Sequence, residues 1–202
     1  MHNYFNLFSE SLLVKTQYAV QLIVIYFYYI YFIINPVMKK VILLSSVAIA
    51  SGVLFANVFN SMVIAAATDS DIPNSVLAAK VFFKTVNPGN FFKIFSPASQ
   101  VLTLLSLILY WKSTKNIRLF LGIALICYIA GDIFAFTYFH PRTDIMMSQP
   151  TPDTEILKIL SSEWSIMNWV RSLVLLIGVV FSFAAVDKSY SLKSTSIYPN
   201  RN

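Results

Sequence analysis

The stretch Glu163-Trp164-Ser165-Ile166-Met167-Asn168-Trp169-Val170-Arg171-Ser172 opens the last long apolar run of the chain. It places the amide of Asn168 and the guanidinium of Arg171 three residues apart, on one face of the helix that the run predicts. Arg171 is the only arginine inside an apolar run, and a charge at that depth in hydrocarbon costs about 3 kcal/mol unless protein groups receive it. Asp132 is the only acidic residue inside an apolar run, so we expect a salt bridge or a one-water link between the two.

The composition is that of a membrane protein. Of the 202 residues, 57% are hydrophobic and only 12% are charged, and the mean hydropathy is +0.67. The net charge of +6 does not indicate nucleic-acid binding, because the basic residues form small clusters beside apolar runs rather than one patch. The single cysteine, Cys127, excludes an internal disulfide. We therefore predict an all-α integral membrane protein whose first partner is the lipid bilayer.

Five apolar runs follow one another along the chain, and the last four predict a transmembrane four-helix bundle with an up-down-up-down path. Lys112 to Asn116 is too short for anything but an antiparallel hairpin between two of them. The runs are Tyr18 to Asn35, Val41 to Ala67, Ala98 to Trp111, Ile117 to Phe139 and Trp164 to Val186.

The domain organisation depends on Met38-Lys39-Lys40, which has the form of an initiation site before a new apolar run. Residues 1–37 are predicted to be an N-terminal extension with one hydrophobic helix. They either lie upstream of a native start at Met38 or form an ordinary extra helix. Residues 38–187 form the four-helix membrane domain, and residues 188–202 are predicted to be a disordered cytoplasmic tail.

The lysines and arginines near the ends of the runs predict the topology. By the positive-inside rule the Lys112 to Asn116 turn and the C-terminal tail are cytoplasmic, and the longer loops lie outside. We expect a multi-pass protein, in the cytoplasmic (inner) membrane if the source is bacterial. In the first outer loop, Ser75 to Thr85 is predicted to form an amphipathic helix in the interface, either as a lid or as a surface segment anchored by aromatic residues.

Polar residues of four predicted helices share one depth. At ~1.5 Å per residue, Asn57, Asp132 and Arg171 all fall in the outer half of a hydrocarbon core ~30 Å thick. Others fall at the same depth: Asn60, Ser99, Gln100, Thr103 and Asn168. This level is predicted to be a polar pocket or a polar clamp, and the sequence leaves both open.

Other site chemistry has little support in the sequence. The only histidines are His2 and His140, and no set of Cys, His and carboxylate residues has metal-ligand spacing. His140 is either a haem ligand or, as we expect, an interfacial histidine. No phosphate-binding loop, nucleophile elbow or dinucleotide fingerprint is present, so no cofactor and no metal are predicted.

Four motifs together resemble the anthrone oxygenase-like family, small four-helix membrane proteins of which most bacterial members form a domain of unknown function. The resemblance covers residues 38–187. The motifs are Asn57-Val58-Phe59-Asn60-Ser61, Asn87-Pro88-Gly89-Asn90-Phe91-Phe92 with Phe95-Ser96-Pro97, Phe139-His140-Pro141-Arg142-Thr143-Asp144, and Trp164-Ser165-Ile166-Met167-Asn168-Trp169-Val170-Arg171. Where the family has Pro-x-Asn after the third helix, this chain has Pro141-Arg142-Thr143.

For the fungal members the resemblance implies oxidation of polycyclic phenolic anthrones to quinones by dioxygen. One expectation is therefore an oxidoreductase acting on a small hydrophobic aromatic or quinone-type substrate in the outer-leaflet pocket. Its site would consist of Asp132 and Arg171 as catalytic residues and of Asn57, Asn60, Asn168 and Trp164 as substrate-binding residues.

The alternative expectation is a non-catalytic membrane binding, transport or accessory protein in which Asp132 and Arg171 form a structural clamp. An enclosed space beside these residues would indicate the enzyme, whereas direct contact between them would indicate the clamp.

Overall fold

The computed structural model describes residues 20–23, 25, 35–148 and 150–197, without the side chains of residues 36 and 192–197. The chain divides into two compact units, Met1–Val41 and Ile42–Asn202. The predicted N-terminal hydrophobic helix lies largely outside the described residues, as do residues 198–202.

The regular elements of the described residues are all helices, and four helical stretches are long and apolar enough to cross a membrane: Val37–Asp69, Gly89–Leu109, Lys115–Met146 and Thr154–Ser191. This confirms the prediction of an all-helical chain with four membrane-length helices. The elements are α1 (Pro36–Phe59), a π-helical segment (Asn60–Ala65), α2 (Ala66–Asp69), α3 (Asn74–Thr85), α4 (Gly89–Leu109), α5 (Lys115–Phe134), a second π-helical segment (Ala135–Phe139), α6 (His140–Met146) and α7 (Thr154–Ile197).

Helix α4 begins at Gly89, nine residues before the predicted run that starts at Ala98, so Pro97 lies inside the helix. The backbone N–H of Gly89 donates to Oδ1 of Asn87 over 2.7 Å, which satisfies one of the free donors of the first turn. Phe91 and Phe95, one turn apart, stack with ring centroids 4.6 Å apart. These local contacts form the first two turns ahead of the proline.

The connection predicted between His140 and Glu163 is much shorter in the structure. Pro141 sits in the first turn of α6, where its missing N–H is tolerated, so the helical path continues to Met146. Helix α7 then begins at Thr154, because the carboxylate of Asp153 caps it by accepting from the backbone N–H of Glu155 at 3.1 Å.

Helix α7 extends into the segment that the sequence predicts to be a disordered tail: of residues 188–202, the structure describes 188–197, and these are helical. The helix continues to Ile197, because no proline or glycine interrupts residues 187–197. Ser189, one of these residues, is buried.

Inward-facing positions recur in steps of three and four residues, the spacing of helices that pack along a common seam. On α5 they are Ile117, Leu121, Ala124, Tyr128 and Gly131. Two apolar clusters result. The apolar layer comprises Leu43, Tyr110, Ile117, Leu121 and Ala185. The middle layer comprises Ala50, Val53, Ala124, Tyr128, Leu175 and Val179.

Candidate functional site: a polar layer within the helices

Asn57 on α1 and Asn168 on α7 form a reciprocal pair, and both are fully buried. Nδ2 of Asn57 donates to the backbone oxygen of Asn168 over 3.2 Å, and Nδ2 of Asn168 donates to the backbone oxygen of Asn57 over 3.3 Å. Each amide also reaches a serine one turn beyond its partner. Asn57 donates to Ser172 Oγ at 2.8 Å and Asn168 donates to Ser61 Oγ at 2.7 Å.

The two serines complete this exchange. Ser61 Oγ donates back to the oxygen of Asn57 at 3.1 Å, and Ser172 Oγ donates to the oxygen of Asn168 at 3.0 Å. Both helices therefore use the same pattern, an asparagine followed four residues later by a serine. Each serine hydroxyl donates one hydrogen bond and accepts another, so its donor and an acceptor site are both used within the pair.

Arg171 connects this pair to α5. Its Nε donates to the backbone oxygen of Gly131 over 3.1 Å and its Nη1 donates to Oδ1 of Asn57 over 3.0 Å. Nη2 lies 3.6 Å from Oδ1 of Asp132, and the two side chains are 8% and 20% exposed. The predicted contact between Asp132 and Arg171 is thus present as an ion pair. The ring of Phe92 lies 5.0 Å from Cζ of Arg171.

Asp132 is held from α4 as well as from α7. Ser96 Oγ donates to its Oδ1 over 2.5 Å, and Nε2 of Gln100 donates to its Oδ2 over 2.6 Å. Both carboxylate oxygens therefore accept a hydrogen bond, and Oδ1 also faces the guanidinium. The guanidinium of Arg171 and the carboxylate of Asp132 therefore both have polar partners within the protein, as charged groups between apolar segments require.

Asn57, Asp132, Asn168 and Arg171, which we call the polar layer, are the predicted site residues that the structure brings together. Trp164 lies outside it and packs edge to face on Phe139, with ring centroids 5.6 Å apart. Ser99 and Thr103 are buried at a similar depth but donate to carbonyl oxygens of their own helix.

Asn60 is only half-buried, and among the described residues no hydrogen bond joins it to the polar layer. The reason lies in the backbone. Buried positions on α1 are 43, 46, 47, 50, 53 and 57, and a further step of three from Asn57 would place residue 60 inward. The π-helical segment begins at Asn60, and the next buried positions are Ser61 and Ala65 instead. The wider π turn therefore moves Asn60 off the inner face.

Sequence reasoning did not identify several partners in this layer: Phe92, Ser96, Gly131 and Ser172. The repeat of Asn, three residues, then Ser in two apolar runs was a signal for Ser172. Ser96 had no such signal, because it lay in a segment predicted to precede the helix. Gly131 contributes only its backbone oxygen.

The arrangement can hold charge and orient hydrogen bonds, but it has no donor set for a metal. Among the described residues, no group of three or more His, Cys, Asp and Glu side chains is close enough to bind a metal ion. The guanidinium of Arg171 has five N–H bonds and makes two hydrogen bonds to the described residues, so within this part of the chain its Nη2 group faces Asp132 without a hydrogen bond of its own.

Comparison of the chain with protein-family models, with curated proteins and with solved structures finds no match. The resemblance to the anthrone oxygenase-like family therefore stays a prediction.

Proposed function

We propose that this chain is a non-catalytic multi-pass membrane protein, with a binding, transport or accessory role, whose polar layer is a clamp between membrane helices. The observation that carries the proposal is direct contact. Asn57 and Asn168 bond each other's backbone, and Arg171 bonds both Asn57 and Gly131. Arg171 is only 8% exposed. Because these groups already make hydrogen bonds to one another, few donors or acceptors remain to bind a substrate.

Such a clamp has a physical purpose in lipid. Lipid chains are as apolar as leucine, so the hydrophobic effect does not select one helix neighbour over another. Directional hydrogen bonds do select a neighbour, because their donors and acceptors meet at only one axial register of the two helices. Asn57 bonds to Ser172, and Ser61, one turn later in the first long stretch, bonds to Asn168, one turn earlier in α7. The two chains therefore run in opposite directions past each other, which supports antiparallel packing.

The order of the layers supports an up-down-up-down path for the four long helices, which we include in the proposal. The apolar layer holds Leu43 near the start of α1 and Ala185 late in α7, and the polar layer holds Asn57 later in α1 and Asn168 earlier in α7. Lys115 and Asp144, at opposite ends of the Lys115–Met146 stretch, are both exposed.

This path is tested by labelling Lys115→Cys and Asp144→Cys in a Cys127→Ala background with a membrane-impermeant maleimide. We expect the two positions to be labelled from opposite sides of sealed vesicles, with Lys115 on the cytoplasmic side. Labelling of both from the same side would contradict the path.

The clamp itself is tested by a double-mutant cycle on Asn168→Leu and Ser61→Ala, followed by reversible unfolding in mixed detergent micelles. The amide of Asn168 donates to the hydroxyl of Ser61 at 2.7 Å, so we expect a coupling free energy of about 0.6 kcal/mol or more, the average for polar pairs between membrane helices. Ser99→Ala combined with Asn168→Leu is the control, because the hydroxyl of Ser99 bonds within its own helix. Coupling in the control as large as between Asn168 and Ser61 would refute the clamp.

A second candidate, an oxidoreductase acting on a small hydrophobic aromatic or quinone-type molecule, is favoured by one observation. The Nη2 group of the buried Arg171 lies 3.6 Å from Asp132 and makes no hydrogen bond to the residues that the structure describes, while the Phe92 ring lies 5.0 Å from Cζ. A ring bearing an oxygen would find both a donor and an aromatic surface there. Asp132 or an amide would then orient the reacting oxygen.

The second candidate is tested on the protein purified in mild detergent, by absorption spectroscopy and by mass spectrometry of the organic extract. It requires a ring-bearing molecule that co-purifies with the wild type and is lost from a folded Arg171→Lys protein, since lysine keeps the charge but lacks the planar fork. Arg142→Lys is the matched control, because Arg142 pairs with Glu163 outside the polar layer. No such molecule, or equal retention in both variants, leaves the clamp as the function of this layer.

A further inference from the structure

A cavity of about 250 Å³ lies between the end of the first long helical stretch and α3. Ile64, Ala67 and Thr68 line it from the first stretch, and Ser75, Ala78, Ala79, Phe82 and Phe83 line it from α3. No residue of the polar layer takes part. The volume approaches the lower end of small-molecule sites, roughly 300 Å³.

The lining offers hydrocarbon and almost no free polar group. Its two hydroxyls are already used, since Thr68 Oγ1 donates to the oxygen of Ile64 at 2.8 Å and Ser75 Oγ donates to the oxygen of Thr68 at 2.5 Å. The remaining lining side chains are aliphatic or aromatic. A polar ligand would lose its hydration here without compensation, whereas an apolar chain would not. The cavity therefore selects an apolar occupant.

The surroundings of the cavity point to lipid as the source of that occupant. Met62 and Val63, just before Ile64, are 63% and 46% exposed, and Phe82 at the cavity is 52% exposed. The apolar outer surface of the first stretch thus continues into the cavity. Lys84, exposed in the last turn of α3, follows the lining residue Phe83 directly and offers a positive charge to an anionic headgroup near the cavity.

Lys80 is not available for the same headgroup, because it fixes α3 in place. Its ammonium donates to the oxygen of Ser148 at 3.1 Å and to Thr151 Oγ1 at 3.2 Å, and its side chain is buried. Val76 of α3 packs in a buried cluster with Met146 and Leu157. With one face docked in this way, α3 forms a fixed wall of the cavity.

We propose that the cavity between Ile64–Thr68 and α3 binds one acyl chain of a phospholipid from the leaflet that α3 faces. The proposal rests on the membrane location but not on the function of the polar layer. It assigns α3 a second role besides lying in the interface, because the helix would hold a lipid next to the place where the first stretch leaves the hydrocarbon.

The test uses the full chain reconstituted in phosphatidylcholine vesicles that contain a phosphatidylcholine with a diazirine at mid-chain. After illumination, peptides are mapped by mass spectrometry. We expect labelling of residues 64–68 and 75–83 to exceed that of Val101 and Leu104, which are 55% and 45% exposed on α4 and serve as an internal reference for ordinary lipid contact.

Two neighbouring alanines provide a matched pair of variants. Ala67→Phe fills the cavity, whereas Ala66→Phe adds the same volume to an exposed position that does not line it. Ala67→Phe should lower the labelling of residues 64–68 and 75–83 to the level of the α4 reference, because the added ring occupies the space that the acyl chain would enter. Ala66→Phe should leave it unchanged. Ala78→Phe, on the opposite wall, repeats the test if Ala67→Phe does not fold.

Labelling equal to that of the α4 reference, or equally reduced by both alanine variants, would overturn the proposal. Labelling by a diazirine fatty acid but not by the phospholipid would also overturn it, because the occupant would then be a free acid. Failure here leaves the coupling between Asn168 and Ser61 untouched, so the two proposals fail independently.

Discussion

The polar layer and the apolar layer lie along the same helices and are both buried, yet they hold those helices together differently. The polar layer joins α1, α4, α5 and α7 by hydrogen bonds and one ion pair. The apolar layer contains Leu43, Ile117 and Leu121, all at 1% exposure or less, and relies on packing. In lipid, packing stabilises any close neighbour, while the polar layer requires one register.

The largest expected effect comes from leaving one charge of the polar layer without its partner. Asp132→Leu should lower the free energy of unfolding by about 3 kcal/mol, because it exposes the guanidinium of Arg171 to an apolar interior. Arg171→Leu should cost less, since Asp132 is 20% exposed, against 8% for Arg171, and keeps the hydrogen bonds from Ser96 and Gln100. Reversible unfolding in mixed micelles measures both, and the reverse order would contradict this account of burial.

A smaller effect is expected in the middle layer, where α5 and α7 approach closely. A Cβ added at Gly178 would lie 2.6 Å from Cε1 of Tyr128 and 3.1 Å from Cβ of Cys127. Gly178→Ala should therefore lower the free energy of unfolding by about 2 kcal/mol through overpacking. Gly122→Ala is the control, because nothing lies within 4 Å of its Cβ, and it should raise stability by up to about 1 kcal/mol. Equal effects at both glycines would contradict the close approach.

The smallest effect is expected in the apolar layer. Leu121→Ala should lower the free energy of unfolding by about 1 to 2 kcal/mol, below the usual loss for a buried leucine. In a membrane the unfolded helices keep their side chains in lipid, so the cavity remains as a cost but the transfer from water does not. The same unfolding measurement applies. A loss larger than that of Asp132→Leu would mean that packing, and not the polar layer, dominates stability.

Much of this contrast was predictable from the sequence. One buried acid and one buried base in long apolar runs leave few choices of partner, and helix periodicity placed Asn57, Asp132, Asn168 and Arg171 at one depth. Asn60 could not be excluded in this way, because its displacement depends on a π-helical segment that single-residue propensities do not reveal. The residue that accepts the hydrogen bond from Asn168 is Ser61, which directly follows Asn60.

The helix ends were predicted less well, because local contacts set them. The stacking of Phe91 on Phe95 and the cap from Asn87 start α4 ahead of Pro97, and Asp153 starts α7 ahead of the apolar run. An apolar run marks the part of a helix that faces lipid or other helices. It does not mark the polar turns that extend the helix on either side.

The central claim is that Asp132 and Arg171 stabilise the bundle as a pair, and a double-mutant cycle with Asp132→Leu and Arg171→Leu tests it most directly. The free energy of unfolding is measured for wild type, both single variants and the double variant in mixed micelles. We expect the double variant to lose less than the sum of the single losses, by about 1 to 2 kcal/mol, because it leaves no unpaired charge. Losses that add to within about 0.3 kcal/mol would contradict the pairing.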